Sequence, residues 1–278
     1  MSVEVRKLGE PILAEVAGVD VTKDISDDDW AAVHQAFLDN CVVVFRDQAL
    51  TPDQMVRLAN RFGPVEAHIT SAKYKHPECD DLIIITNRND KGEIDPFESA
   101  RGGRWHTDMC YQEIPSKATM LHTLEIPDAG GDTIFANLYL ALETMPASLR
   151  TRLEGLRATF RLGGNTGRGQ GRADKERKNA PLVDHPILRA HTDTGRLSVF
   201  VNQVHTVGIV GMDHDEAQAL LQEVYDWCER PEFQARHEWR MGDTVIWDNR
   251  CSIHRATGEN PLRQTRRLMR ATISDRPN

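Results

Sequence analysis

Short segments rich in β-branched and aromatic residues recur along the chain, and they constrain its fold more than any other feature. They lie at residues 42–45, 81–86, 117–126, 132–136, 197–204, 244–248 and 266–274. Such runs predict strands, and few predicted helices separate them. The pattern therefore indicates a mainly β fold with peripheral helices, a sandwich or jelly roll, instead of a parallel βαβ array.

Helix signals are strongest near the N-terminus. Ser26 can cap a helix that begins with three aspartates, which favour the positive end of a helix dipole. Thr51 can cap a second helix, with Pro52 at its first position and Gly63 at its end. We expect further helices near 138–153, interrupted or restarted at Pro146, and near 213–229.

Composition excludes several classes of protein. The net charge of -8 argues against nucleic-acid binding, and 40% apolar with 27% charged residues is typical of a globular protein. No apolar run is long enough to cross a membrane, and the N-terminus lacks the pattern of a signal peptide. The five cysteines form no CxxC pair, which fits reduced thiols. We therefore expect a cytoplasmic protein of one domain, residues 1–278.

Two polar segments are candidate lids over an active site. Residues 161–181 hold five glycines, and residues 87–104 lead directly into the motif described next. Long loops in compact domains are often functional. A plain mobile surface loop is the alternative for 161–181.

A His-x-Asp pair on a strand can offer an imidazole and a carboxylate to one metal, because residues i and i+2 share a side. A distant second histidine would complete a 2-His-1-carboxylate triad, which leaves positions open for a co-substrate and O2. The pair alone is weakly specific, since the chain contains four His-x-acid pairs: His76/Glu78, His106/Asp108, His191/Asp193 and His214/Glu216.

The surroundings of these pairs favour His106 and Asp108. His191 precedes a turn-forming Asp-Thr-Gly, His214 begins a predicted helix, and His76 precedes a proline in a polar loop. His106 follows Trp105 at the end of a long loop beside apolar strands.

Ordered motifs along nearly the whole chain resemble the taurine dioxygenase / 2,4-dichlorophenoxyacetate dioxygenase (TauD/TfdA) family. They are Trp105-His106-Thr107-Asp108, Gly130-Gly131-Asp132-Thr133, Trp247-Asp248-Asn249-Arg250 with His254, and finally Arg266 and Arg270. The resemblance implies a double-stranded β-helix (a cupin-like jelly roll). It also implies a dioxygenase that uses Fe(II), 2-oxoglutarate and O2, with succinate and CO2 as co-products.

Residue roles follow from the same resemblance. His106, Asp108 and His254 match the iron ligands, whereas Thr133 and Arg266 match the positions that hold the far carboxylate of 2-oxoglutarate. Arg270 matches a position that binds the anionic group of the substrate, and His68 aligns loosely with a substrate-binding histidine.

The residue types suit these roles. Arg266 and Arg270 are four apart on a predicted strand, so both point to one side, and a guanidinium fork matches a carboxylate or sulfonate in two hydrogen bonds. A solvated basic edge is the simpler alternative. Asp248 could orient an iron ligand or cap a loop.

The expected substrate is a small organic anion: a sulfonate, an aryloxyalkanoate or another carboxylate. Gly102 and Ser71 lie where the taurine enzyme carries larger polar residues, which argues against taurine. Relatives are commonly oligomeric, so we expect a homo-oligomer. A cupin-type metal enzyme that does not use 2-oxoglutarate, and a non-catalytic β-sandwich binding module, are the two rival hypotheses.

Overall fold

An eight-stranded sheet and a smaller three-stranded sheet enclose the interior of the protein, seen here in a computed structural model. The structure describes residues 3–67, 74–99, 102–164, 180–259 and 264–276. The large sheet has the strand order β1-β2-β3-β14-β6-β16-β5-β4, and the facing sheet has the order β13-β7-β15. Two smaller sheets, β12-β8-β9 and β10-β11, complete the β structure of the described residues.

The elements have the following bounds. The strands are β1 Glu4–Gly9, β2 Leu13–Ala17, β3 Val42–Phe45, β4 Lys75–His76, β5 Cys79–Thr86, β6 Ser116–Glu125, β7 Thr133–Asn137, β8 Arg157–Phe160, β9 Val183–Pro186, β10 Leu188–Ala190, β11 Leu197–Val199, β12 Thr206–Ile209, β13 Gln234–His237, β14 Thr244–Asp248, β15 Ser252–Ala256 and β16 Arg267–Ser274. The helices are α1 Asp27–Asn40, α2 Pro52–Phe62, α3 Pro96–Ser99, α4 Leu138–Glu143, α5 Ala147–Leu153 and α6 His214–Cys228, and a 3-10 turn covers Pro231–Phe233.

The predicted helix ends are confirmed. The Ser26 hydroxyl accepts a hydrogen bond from the amide of Asp29, and Thr51 forms a reciprocal capping box with Gln54. Helix α2 ends at Gly63. Pro146 precedes α5 and separates it from α4, because proline starts a helix more readily than it continues one.

Alternation along β3 places a hydrophobic core on each face of the large sheet. Val42 and Val44 pack with Phe135 of the small sheet, between the two sheets. Val43 and Phe45 pack instead with side chains of α1 and α2, including Phe37. A strand buried on both faces reads as a continuous apolar run, which is why this short segment was predictable. A third core joins α4, α5 and α6 to the β8 and β11 strands.

Several predicted boundaries need correction. The strand predicted over 197–204 ends at Val199, and His76 lies in the two-residue strand β4 instead of a loop. Arg266 lies one residue before β16. Most of the 161–181 segment falls outside the described residues, whereas 87–104 includes α3 and a β-bridge between Arg88 and Ile94. Among the described helices, none is long and apolar enough to cross a membrane.

Candidate iron and 2-oxoglutarate site

The backbones of His106 and His254 form an isolated antiparallel bridge at the edge of the small sheet, where His254 lies in β15. The His106 amide donates to the His254 carbonyl at 3.0 Å, and the His254 amide donates back at 2.9 Å. Asp108 follows two residues after His106. The ligand atoms of these three side chains all lie within 4.8 Å of one another, so the predicted triad converges on one point.

The tautomer of His106 follows from its hydrogen bond. Its Nδ1 lies 2.8 Å from the carbonyl oxygen of Arg104. Because a carbonyl only accepts, Nδ1 carries the proton, and Nε2 is left with a free lone pair. Backbone partners of this kind orient histidine ligands in metal sites.

His254 is buried between aromatic rings. Its Nε2 lies 3.7 Å from Asp108 Oδ2, and its ring centroid lies 4.7 Å from that of Trp247. Burial, followed by the nearby His106, lowers the pKa of His254 well below its usual value. The ring is therefore neutral at pH 7, which is the form that binds a metal.

Asp108 is buried between two donors. Arg270 Nη2 lies 3.1 Å from Oδ1, and the Thr119 hydroxyl donates to Oδ2 at 2.8 Å. Burial by itself would raise the pKa of Asp108, but the positive charge of Arg270, together with the hydrogen bond from Thr119, holds it far below the usual value. An ionised carboxylate beside two imidazoles is a donor set that fits a ferrous ion.

Arg266 is a cation without a carboxylate partner among the described residues. Its Nε donates to the carbonyl of Gly131 at 2.9 Å, and its guanidinium lies 5.7 Å from the ring centroid of Trp239. It keeps some accessible surface, yet burial lowers its pKa to about 10. An anion bound beside this guanidinium would restore the interactions that burial removes.

Thr133 begins β7, close to the Gly130-Gly131 turn that contacts Arg266. The Trp239 indole donates to the Thr133 hydroxyl oxygen at 3.1 Å. Since this bond occupies a lone pair, the hydroxyl proton remains free for another acceptor. A Cβ on Gly130, whose φ is +76°, would lie 1.9 Å from the carbonyl oxygen of Glu259, so only glycine fits this turn.

The comparisons with known proteins agree with this geometry. The family model "Taurine catabolism dioxygenase TauD, TfdA family" matches residues 4–272. The chain belongs to the TauD/TfdA family. It is 30% identical to the α-ketoglutarate-dependent 2,4-dichlorophenoxyacetate dioxygenase of Cupriavidus pinatubonensis, over 99% of each chain.

Two more TauD/TfdA relatives extend the comparison. The (S)-phenoxypropionate/α-ketoglutarate-dioxygenase of Sphingobium herbicidovorans is 32% identical over 88% of this chain and 85% of that one. The structure of AAD-2 in complex with Mn(II) and N-oxalylglycine superposes with a TM-score of 0.86, at 25% identity, covering 100% of this chain and 98% of that one. This TauD/TfdA protein is accordingly a jelly-roll dioxygenase that uses Fe(II), 2-oxoglutarate (α-ketoglutarate) and O2.

The second His-Thr-Asp sequence of this TauD/TfdA dioxygenase has a structural role. His191 Nδ1 accepts backbone hydrogen bonds from Asp193 and Thr194, and Nε2 lies 2.9 Å from Asp248. Asp248 also binds Arg250 through both carboxylate oxygens, at 2.9 and 2.6 Å. Both nitrogens of His191 are occupied and a guanidinium neutralises Asp248, so this buried cluster does not favour a cation. Of the two roles considered for Asp248, the structure supports the loop cap.

Of the other residues predicted near the site of the TauD/TfdA dioxygenase, two lie outside the described residues and one lies beside the triad. His68 and Ser71 lie outside the described residues. Gly102 lies beside the triad, because a Cβ there would be 3.7 Å from His106 Cε1. Trp105 and Trp247 are core residues. Sequence reasoning assigned no role to Thr119, Trp239 or Asn249. Thr119 contacts Asp108, Trp239 contacts Thr133, and Asn249 contacts Thr119.

Proposed function

We propose that His106, Asp108 and His254 hold the ferrous ion of this dioxygenase. The observation that carries the proposal is Arg266: a largely buried guanidinium, without a carboxylate partner among the described residues, in the same chain as a His-Asp-His cluster. Iron alone needs no such cation, whereas a diacid that chelates the iron at one end requires one at the other.

In this proposal Arg266 and the Thr133 hydroxyl bind the far carboxylate of 2-oxoglutarate. Arg266 supplies the two terminal amino groups that Gly131 leaves unused, and Thr133 supplies the proton that its bond from Trp239 leaves free. Bound Fe(II) supplies the activation of O2, which couples oxidation of 2-oxoglutarate to succinate and CO2 with hydroxylation of the substrate.

Arg270 is the proposed anchor for an anionic substrate. Its side chain is 12% exposed and lies against Asp108. Its Nε is buried without a hydrogen-bond partner among the described atoms. A bound carboxylate or sulfonate would complete this hydrogen bonding and place the neighbouring carbon beside the iron ligands.

We favour an aryloxyalkanoate within the expected class of small organic anions, because the two relatives described above are named for such substrates. Hydroxylation of the carbon between the ether oxygen and the carboxylate gives a hemiacetal. The hemiacetal then collapses to a phenol and an oxo acid, without a further oxidant.

The remaining expectations complete the proposal. Residues 1–278 form one catalytic domain, with the segments near 87–104 and 161–181 as lids, and the protein is a cytoplasmic homo-oligomer. His68 contributes to the substrate pocket.

The test has two parts. Anaerobic Fe(II) with 2-oxoglutarate should give the weak visible band of the chelate in the wild type but not in His254→Ala. A panel of aryloxyalkanoates, sulfonates and other carboxylates is then assayed for succinate above the uncoupled background and, for aryl ethers, for the released phenol.

The outcomes separate the hypotheses. No chelate band at saturating reagents would favour a non-catalytic module. Turnover that does not need 2-oxoglutarate would favour a cupin-type enzyme of another class. Arg270→Ala should raise the substrate KM by at least about 30-fold, since truncating one partner of a buried charged pair costs about 2 kcal/mol or more. Unchanged KM values across the panel would exclude Arg270 as the anchor.

A further inference from the structure

A closed set of hydrogen bonds connects Trp247 to Asp108 through Asn249. The Trp247 indole donates to Asn249 Oδ1 at 3.1 Å, and Asn249 Nδ2 donates to the hydroxyls of Ser116 and Thr119, both at 3.0 Å. Ser116 then donates to the backbone carbonyl of Asp108 at 3.1 Å, and Thr119 donates to its carboxylate at 2.8 Å. All five residues are buried.

The direction of every bond in this set is fixed by its first donor. An indole N–H can only donate, so the Asn249 amide must turn its oxygen toward Trp247 and its NH2 group toward the hydroxyls. Each hydroxyl then has a lone pair occupied, and its proton must go to another acceptor. For both Ser116 and Thr119 that acceptor belongs to Asp108.

Asp108 is also attracted by a competing donor. Arg270 lies 3.1 Å from Oδ1, while Thr119 holds Oδ2 on the side of His254. Arginine prefers to bind both oxygens of a carboxylate. Without the Thr119 bond, a small rotation of the Asp108 carboxylate would let the guanidinium take both oxygens and turn them from the metal position.

We propose that Asn249 is a positioning residue which, through Thr119, keeps the Asp108 carboxylate directed at the metal and out of a two-pronged ion pair with Arg270. This inference rests on the proposed function, because it takes Asp108 to be an iron ligand. Asn249 suits the role because its amide can accept from one side and donate twice from the other.

Trp247 extends the same arrangement to the second histidine. Its ring packs 4.7 Å from the ring of His254, while its indole N–H orients Asn249. Trp247 therefore contacts the imidazole of His254 directly and acts on the Asp108 carboxylate indirectly, through Asn249 and Thr119. Asp248, between Trp247 and Asn249 in sequence, contacts His191 and Arg250 instead, as alternation along a strand requires.

The test measures binding of Co(II) alone to the metal-free protein by calorimetry, without substrate or turnover. Thr119→Val replaces the hydroxyl with a methyl group, Thr119→Ser keeps the hydroxyl, and Asn249→Leu removes the amide. Thr244→Val is the matched control, since Thr244 is an equally buried hydroxyl in the same sheet that binds His122 instead of the site.

We expect Thr119→Val and Asn249→Leu to weaken Co(II) binding by about 10- to 100-fold, the usual effect of removing a hydrogen bond behind a metal ligand. Thr119→Ser and Thr244→Val should stay within about 3-fold of the wild type. In an Arg270→Met background the loss caused by Thr119→Val should shrink, because the competing cation is gone.

Three results would overturn parts of this reasoning. Wild-type affinity in Thr119→Val would exclude the positioning role, and so would an equal loss in Thr244→Val, because it would reflect general destabilisation. An undiminished loss in the Arg270→Met background would exclude competition by Arg270. Failure of the wild type to bind Co(II) would instead overturn the metal site itself.

Discussion

Arg266→Ala is the sharpest perturbation of the co-substrate site. The guanidinium has no carboxylate partner among the described residues, its Nε is held by Gly131, and burial lowers its pKa to about 10. Arg266 would thus offer a bound diacid its positive charge and its two terminal amino groups as hydrogen-bond donors. Truncating one side of such a pair costs about 2–5 kcal/mol. At about 1.4 kcal/mol per factor of ten, affinity for 2-oxoglutarate should fall by about 30- to 4,000-fold.

The assay is a titration of the anaerobic Fe(II) protein with 2-oxoglutarate, followed by the visible chelate band. Arg267→Ala is the matched control, because the adjacent side chain is 42% exposed and pairs with Glu125 at 3.0 Å. Exposed ion pairs contribute about 1 kcal/mol or less, so the control should bind nearly as the wild type does. Equal affinities of the two variants would refute the assignment of the far-carboxylate site to Arg266.

The remaining predictions concern stability and the Fe(II)/2-oxoglutarate complex. Gly130→Ala should lower the free energy of unfolding by about 2–5 kcal/mol, because the cost of a left-handed φ adds to that of a steric overlap. Gly155→Ala, at φ +75° with open space around it, should lower it by only about 1–2 kcal/mol. Urea unfolding measures both values. His191→Ala should destabilise the fold by about 2–4 kcal/mol yet keep the Fe(II)/2-oxoglutarate band, which His106→Ala should abolish. Burial raises the pKa of Glu229 from 4.5 to about 7. The folded state therefore favours the protonated carboxyl of Glu229. Relative to Glu229→Gln, the free energy of unfolding should fall by about 1–2 kcal/mol as the pH rises from 4.5 to 7, since solvent screens this half-buried group and reduces the full effect. A difference in unfolding free energy that does not change with pH would contradict this.

Local signals accounted for the parts of the fold that the sequence predicted well. Strand β14 has the predicted bounds, residues 244–248, and the side chains of Ser26 and Thr51 cap their helices as their residue types suggest. Strand β15, which carries His254, was missed because its five residues mix polar and apolar types without a clear period. Its conformation is set by pairing with β7, a partner far away in the sequence.

The candidate site was likewise predicted only in part from the sequence. The triad and the two arginines were named from ordered motifs, since their chemistry restricts the residue type. The residue types of Thr119 and Asn249 do not indicate their roles, because a threonine in a strand and an asparagine after a strand are common. Their importance comes from a shared bond across strands, which no local pattern encodes. The repeated His-Thr-Asp at 191–193 shows the converse, because one tripeptide belongs to a buried ion cluster and the other to the proposed metal site.

The reciprocal backbone pairing of His106 and His254 has a consequence for how the apoprotein behaves. Two proposed ligands from distant parts of the chain are already held together by main-chain hydrogen bonds, so the entropy of bringing them together belongs to folding and not to metal binding. Iron should therefore be removable by a chelator and replaceable by another divalent ion while the polypeptide stays folded. In this respect the protein contrasts with small zinc domains, which lose their structure along with their metal.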